Sequence, residues 1–226
     1  MLSNKHFALR VACDGESSSG KSTAAKLISK KYNLFCMNSG LLFRYASYLI
    51  IENKPKKIIP FLKKKFKNLK YKNITHLNLH SEKISKHVAN IAKQKKIRQI
   101  MRNFQKKIIK KHQKICCEGR DQASTILKKN PKYDVAFYFK CNLNTASIRR
   151  WHDLKKKVPL KEVKKSLRTR TLLDKKRLHN PLKKMADAVL IRTDILSKKA
   201  MIDKMSNEID KKLLIKYGRT IKTRQK

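Results

Sequence analysis

The feature that most constrains this chain is the stretch Gly15-Glu16-Ser17-Ser18-Ser19-Gly20-Lys21-Ser22-Thr23, a Gly-x4-Gly-Lys-Ser-Thr phosphate-binding loop. Its surroundings fit. Phe7 to Cys13 is a mostly apolar run of strand length, and Ala24 to Lys31 continues as a helix. Gly15 and Gly20 permit backbone dihedrals that a side chain disfavours, so consecutive N–H groups can converge on one anion. The helix N-terminus adds unpaired N–H groups and a partial positive charge. Lys21 is then placed to bridge the β- and γ-phosphates of a nucleoside triphosphate, with Ser22 or Thr23 holding a magnesium ion or its water.

The rest of the chain alternates in the same way. Leu34–Met37 reads as a second strand ending in Asn38-Ser39-Gly40, followed by a helix from about Leu41 to Ile51 that carries Arg44. Lys114–Glu118 reads as a third strand ending in Gly119-Arg120-Asp121, and Val135–Phe139 as a central strand covered on both faces. Helices are expected from Asn144, as cap, to Lys155 and from Leu160 to Leu178, then a last strand at Ala188–Ile191 and a closing helix from Ser197. A basic tail runs from Gly218 to Lys226. Such alternation implies an α/β fold, a five-stranded parallel sheet flanked by helices, with ligands at the carboxyl ends of the strands. The rhythm breaks between residues 54 and 93, after Pro55. There a short amphipathic helix near Phe61, then strands at 69–71 and 75–80, read as an insertion with its own small antiparallel sheet. The expected organisation is a core of 1–53 and 94–226, a helical lid at about 150–180, and an inserted lobe at 54–93.

Charge and cysteines bound the function. The 59 Lys and Arg against 15 Asp and Glu give a net charge of +44, which attracts polyanions. The lysines are spread through nearly every element rather than gathered on one arm, which reads as a solvated surface with non-specific attraction for nucleic acid. A basic nucleic-acid-binding P-loop NTPase that uses this charge as its working surface is the alternative of a different class. Five cysteines without ligand spacing read as reduced thiols, and no stretch reaches the apolar length of a membrane span or of a signal peptide. A cytoplasmic protein is expected.

Phosphoryl transfer needs alignment and cations around a spreading negative charge more than covalent chemistry. Arg44 and Arg120 stand at strand ends flanking the loop, and a planar fork suits phosphate. Arg149 and Arg150 begin a second cluster, continued by Arg168, Arg170, Asp174 and Arg177. Residues 170, 174 and 177 share one face of a continuous helix. They read either as a solvated basic helix with one ion pair or as a mobile lid that excludes water from the transferring phosphate.

The order of these motifs resembles bacterial cytidylate kinases. The residues carrying the likeness are Gly15–Thr23, Asn38 to Arg44, Gly119-Arg120-Asp121, then Arg170, Asp174, Arg177, Pro181 and Leu182, and Ala186-Asp187-Ala188. Val88-Ala89-Asn90 and Arg98 add a further stretch. The resemblance implies transfer of the γ-phosphoryl group of ATP to CMP or dCMP with Mg²⁺, by a monomer. It implies that Gly15 to Thr23, with Arg149 and Arg150, hold ATP, and that Ser22 and Thr23 serve the metal. Ser39, Arg98 and Asp121 would line the cytosine, and Arg44 and Arg120 the acceptor phosphate. Arg170 and Asp174 would meet the ribose, with Arg177 near the transferring group; Lys21, Arg120 and Arg177 would be catalytic. This chain departs from the family pattern at Asn38 and Glu118, where Asp is usual, at Lys93 or Gln94, where a base-reading Ser is usual, and at Leu173 in the lid. Those departures bear on base choice, so another nucleoside monophosphate kinase with altered selectivity is the nearer alternative.

Overall fold

A computed structural model describes residues 7–218. Its order is β1 (Leu9–Gly15), α1 (Lys21–Tyr32), β2 (Phe35–Asn38), α2 (Ser39–Asn53), α3 (Ile58–Lys67), α4 (Lys72–Thr75), α5 (Glu82–Ile91), α6 (Lys95–Lys111) and β3 (Lys114–Gly119). After a π-helical turn at Gln122–Ile126 come β4 (Val135–Lys140), α7 (Leu143–Asp153), α8 (Leu160–Lys176), β5 (Val189–Arg192) and α9 (Lys198–Tyr217). The basic stretch past Gly218 lies outside the described residues.

The chain falls into two compact units, one of Met1–Met37, His112–Lys176 and Asn180–Lys226, the other of Asn38–Lys111 and Arg177–His179. The first holds a five-stranded parallel sheet in the order β2-β3-β1-β4-β5. Val11 pairs with Cys116 on one side and Val135 on the other, and Phe137 pairs with Val189. Val135 to Phe139 are all buried, as a central strand with both faces covered requires. Around the sheet, Leu9, Val11, Phe137, Phe139 and Ile191 pack with Ala24 and Ile28 of α1 and Met205 and Ile209 of α9. All five cysteines are free thiols, four of them buried and Cys36 half-buried. The N-terminus of α7 is capped by Asn142, whose side chain accepts from Asn144 N–H. Asn144, the expected cap, is therefore the donor in that bond.

The second unit is helical. Ile97, Ile100, Met101, Phe104 and Ile108, spaced for one face of α6, are all buried, and Phe104 meets Phe66 of α3 edge to face at 5.5 Å. The small antiparallel sheet expected at 69–80 is not formed: the segment holds the single turn α4, and 78–80 is not in a strand. The apparent alternation of Thr75 to His80 misled because only Leu79 of its two leucines is buried, while Leu77 is 40% exposed. Local bonds instead wind 70–75 into a turn, from Asn73 N–H to Lys70 O and from the Thr75 hydroxyl to Lys72 O. Residues 54–93 lie inside this unit, which also takes in α2 and α6.

Candidate active site

The phosphate-binding loop is wound around the Glu16 carbonyl, which accepts from the Ser19 hydroxyl and from Lys21 Nζ, both at 2.8 Å. Gly20, the N-cap of α1, has φ +76°, and Ser18 has φ +54°. Both lie in the left-handed region, where alternating backbone conformations turn N–H groups inward. Just past β5, the Thr193 hydroxyl donates to Ser19 O at 3.1 Å and braces the loop from behind. Lys21 is buried, and burial, followed by the Arg120 charge, pushes its pKa from 10.5 down to about 7. Its nearest carboxylate oxygen, Glu118 Oε1, is 3.8 Å away. The lysine is thus a desolvated cation with a weak counter-charge, a state that a bound anion relieves. Ser22 and Thr23 are exposed on the first turn of α1.

The end of β3 brings Arg120 to this loop. Its Nη2 donates to Ser17 Oγ at 3.2 Å, its Nε to Asp174 Oδ2 at 2.9 Å and its Nη1 to Gly119 O at 3.2 Å. Asp121 is buried, and its carbonyl accepts from Thr125 and Ile126 N–H in the π-helical turn. That turn is pinned from β1. The buried Asp14 carboxylate accepts from Gln122 N–H and Ala123 N–H, each at 2.8 Å. Burial lifts the Asp14 pKa from 3.8 to about 7, and the two backbone N–H groups pull the other way. Sequence reasoning missed Asp14. The available signal was an acid at the penultimate position of an otherwise buried strand, immediately before the loop glycine.

The second arginine cluster divides. Arg149 on α7 donates to Thr193 Oγ1 at 3.0 Å and Thr193 O at 2.7 Å, so it supports the loop through the residue that braces Ser19. Arg150, next on α7, and Arg170 on α8 are half-buried. The last turn of α8 carries Asp174, paired with Arg120, and Lys175, whose Nζ lies 2.7 Å from Glu16 Oε1. Arg177 does not share their helical face, because α8 ends at Lys176. Asn180 takes φ +57°, Pro181 follows, and Leu182 N–H returns to Asp174 O at 2.8 Å. The chain therefore turns back where the spacing implied a continuous helix.

Within the second unit, Asn38 caps α2 by accepting from Leu41 N–H at 3.0 Å, and the Tyr71 hydroxyl accepts from Asn38 N–H at 2.7 Å. Ser39, the first helical residue, is buried. Arg44 is also buried, with Nη1 donating to Leu79 O at 2.9 Å and Ser85 Oγ at 3.0 Å. The Arg98 guanidinium sits 5.5 Å from the centre of the Phe43 ring, and its Nη1 donates to Ala92 O.

The family described as Cytidylate kinase matches residues 11–211. The cytidylate kinase of Mesomycoplasma hyopneumoniae strain 7448 is 28% identical over 221 residues, covering 91% of this chain and 95% of its own. That of Clostridium botulinum strain Okra is 28% identical over 220 residues, covering 90% and 98%. That of Fusobacterium nucleatum is 32% identical over 219 residues, covering 89% and 97%. Because the family match extends from inside β1 to inside α9 and so takes in most of the chain, this chain belongs to the cytidylate kinase family.

Proposed function

We infer that this chain transfers the γ-phosphoryl group of ATP to CMP or dCMP, giving ADP and CDP or dCDP. One observation carries the inference beyond its family: the Arg120 fork meets Ser17 of the phosphate loop and Asp174 of α8 at hydrogen-bond distance. A guanidinium so fixed can serve a second phosphate without leaving the first, which is the alignment phosphoryl transfer needs.

On the donor side, the N–H groups of Gly15 to Thr23 would cradle the ATP phosphates, with Lys21 regaining its full charge against them. Arg149 steadies the loop through Thr193, and Arg150 is assigned to the same nucleotide. On the acceptor side, Arg44 and Arg120 would hold the phosphate of CMP, and Ser39, Arg98 and Asp121 its base. Arg170 and Asp174 are assigned to the ribose and Arg177 to the transferring group. A carboxylate and a guanidinium left unpaired by the wrong base give the discrimination such a site needs.

Magnesium fits the residues present. Among the described residues no group of three or more His, Cys, Asp or Glu could hold a metal by itself. Mg²⁺ requires none, since it keeps several waters and takes most other ligands from the nucleotide. Ser22 and Thr23 would offer hydroxyls, and Glu118 has a buried carboxylate oxygen, Oε2, without a hydrogen-bond partner. When bound, the ion would neutralise charge on the phosphates. We assign the chain to the cytoplasm as a monomer; the free cysteines agree with a reducing compartment, and no helix among the described residues is long and apolar enough to cross a membrane.

The test is ADP release from ATP and Mg²⁺ with each nucleoside monophosphate in turn. CMP and dCMP are expected to turn over fastest, and Arg120→Lys to lower kcat/KM for both on the order of 100-fold, since a point charge replaces a fixed fork. Faster turnover of AMP or GMP would remove the cytidylate assignment.

A further inference from the structure

Glu16 is an unusual residue for its place. The loop gathers N–H groups and a lysine around a polyanion, and a carboxylate among them opposes that binding. Its side chain is only 14% exposed, and its Oε1 lies 2.7 Å from Lys175 Nζ at the end of α8. The preceding residue, Asp174, pairs with Arg120 at 2.9 Å. The last turn of α8 therefore brings two opposite charges to the loop, each matched: an acid for the arginine and a base for the glutamate.

We propose that Lys175 is a positioning residue of the ATP site, which cancels the Glu16 charge and, together with the Asp174–Arg120 pair, fastens the end of α8 to the phosphate loop. The proposal rests on the loop being the ATP site. Lys175 itself is 43% exposed and needs no contact with the nucleotide. Its effect reaches the phosphates through Glu16. Without it, the loop presents an uncompensated negative charge to an incoming triphosphate, and the end of α8 loses one of its ties to the loop.

This makes a pattern that simple destabilisation does not. Lys175→Met is expected to weaken ATP binding about fivefold at low ionic strength, the upper end for a partly exposed charge pair. The loss should shrink as salt is raised, because exposed charges are screened within a Debye length of about 10 Å at 0.1 M. Glu16→Gln should tighten ATP binding, since it removes the one negative charge from the loop and leaves Lys175 uncancelled. The double variant Glu16→Gln/Lys175→Met should return to within about twofold of the parent, and Lys175→Arg should keep parental affinity. Binding is read by calorimetry with Mg·ATP alone, and the KM values for ATP and CMP are read separately in the coupled assay. A double variant as weak as Lys175→Met, or equal rises in both KM values, overturns the proposal. Failure of the parent to phosphorylate CMP would instead refute the function proposed above and leave the calorimetric cycle to judge Lys175.

Discussion

Two glycines of the phosphate loop and one at the start of α2 should respond to alanine in a definite order. Gly15 pairs with Phe139 of β4, and the Phe139 carbonyl accepts from Glu16 N–H at 3.1 Å. A Cβ at Gly15 would stand 2.3 Å from that carbonyl oxygen and 2.8 Å from the Phe139 nitrogen. Both are backbone atoms, so β1 and β4 must part where the loop begins. Overpacking costs about 1–3 kcal/mol when side chains can adjust, and a backbone clash belongs at the top of that range, about 3 kcal/mol. For a chain of this size that is roughly a 6–12 °C fall in Tm. At Gly20 the nearest atom to a new Cβ is the Thr193 methyl at 3.4 Å, an ordinary contact. The φ of +76° is what costs there, at about 1 kcal/mol, or roughly 2–4 °C. Gly40 has no positive φ, and its new Cβ would meet only the Asn38 side-chain oxygen, at 3.1 Å. The helical gain of alanine over glycine, about 0.5–1 kcal/mol, offsets a disturbed cap, so Gly40→Ala should melt within about 2 °C of the parent. Thermal unfolding followed by circular dichroism without ligand reads all three. A Gly15→Ala variant melting with the parent would refute the steric account of the strand–loop junction.

Two further outcomes follow from buried charges. The Lys21 pKa of about 7 should rise when a triphosphate binds, so ATP binding at pH 8 should take up ~0.9 proton, measured by calorimetry in buffers of different ionisation enthalpy. The same lowered pKa makes the folded chain bind fewer protons than the unfolded one between about pH 7 and 10.5. The cost of holding the lysine charged is therefore full below about pH 7 and is relieved as pH rises through that window. Lys21→Met should abolish both the uptake and this pH dependence. Asp14→Asn places an amide donor against one of the two N–H groups that the carboxylate now accepts. It should destabilise the protein by about 1–3 kcal/mol and lower kcat with CMP, and an unchanged melting curve would refute its role in holding the Gly-Arg-Asp turn.

The parallel sheet was legible because its signals are local and redundant. Val135 to Phe139 are apolar without interruption, and β1 runs into a glycine loop whose spacing has few uses. The same holds for α6, whose apolar residues recur at the period of one buried face. What failed depends on partners remote in sequence. The stretch 75–80 alternates like a strand, yet the Leu79 carbonyl goes to the Arg44 guanidinium, 35 residues earlier, and no neighbouring strand competes for it. Arg177 looked helical because its spacing from Asp174 ignores Leu182, whose N–H returns to the Asp174 carbonyl. Asp14 was visible as a charge in a buried strand, but the two N–H groups that explain it lie 108 and 109 residues away.

Asn38 tests which property of a capping residue the site uses. The sequence marks it as a departure, since the family usually places Asp there and this chain gives up a charge. The structure shows the capping function kept: its Oδ1 accepts from Leu41 N–H at 3.0 Å, and Tyr71 accepts from its own N–H at 2.7 Å. Asn and Asp cap almost equally well, whereas alanine in their place costs about 1 kcal/mol. A negative charge at a helix N-terminus adds about 0.3–1 kcal/mol through the helix dipole. If the residue serves the site by fixing the start of α2, and with it Ser39 and Arg44, Asn38→Asp should be slightly more stable than the parent. Its preference among CMP, dCMP and UMP should be unaltered. Asn38→Ala should lose about 1 kcal/mol and raise the KM for CMP while leaving that for ATP near the parental value. If instead the missing charge had retuned base choice, Asn38→Asp alone would shift the ratio of CMP to UMP efficiencies by tenfold or more. That shift, measured by competition in one reaction mixture, would refute the cap as the reason this asparagine suffices.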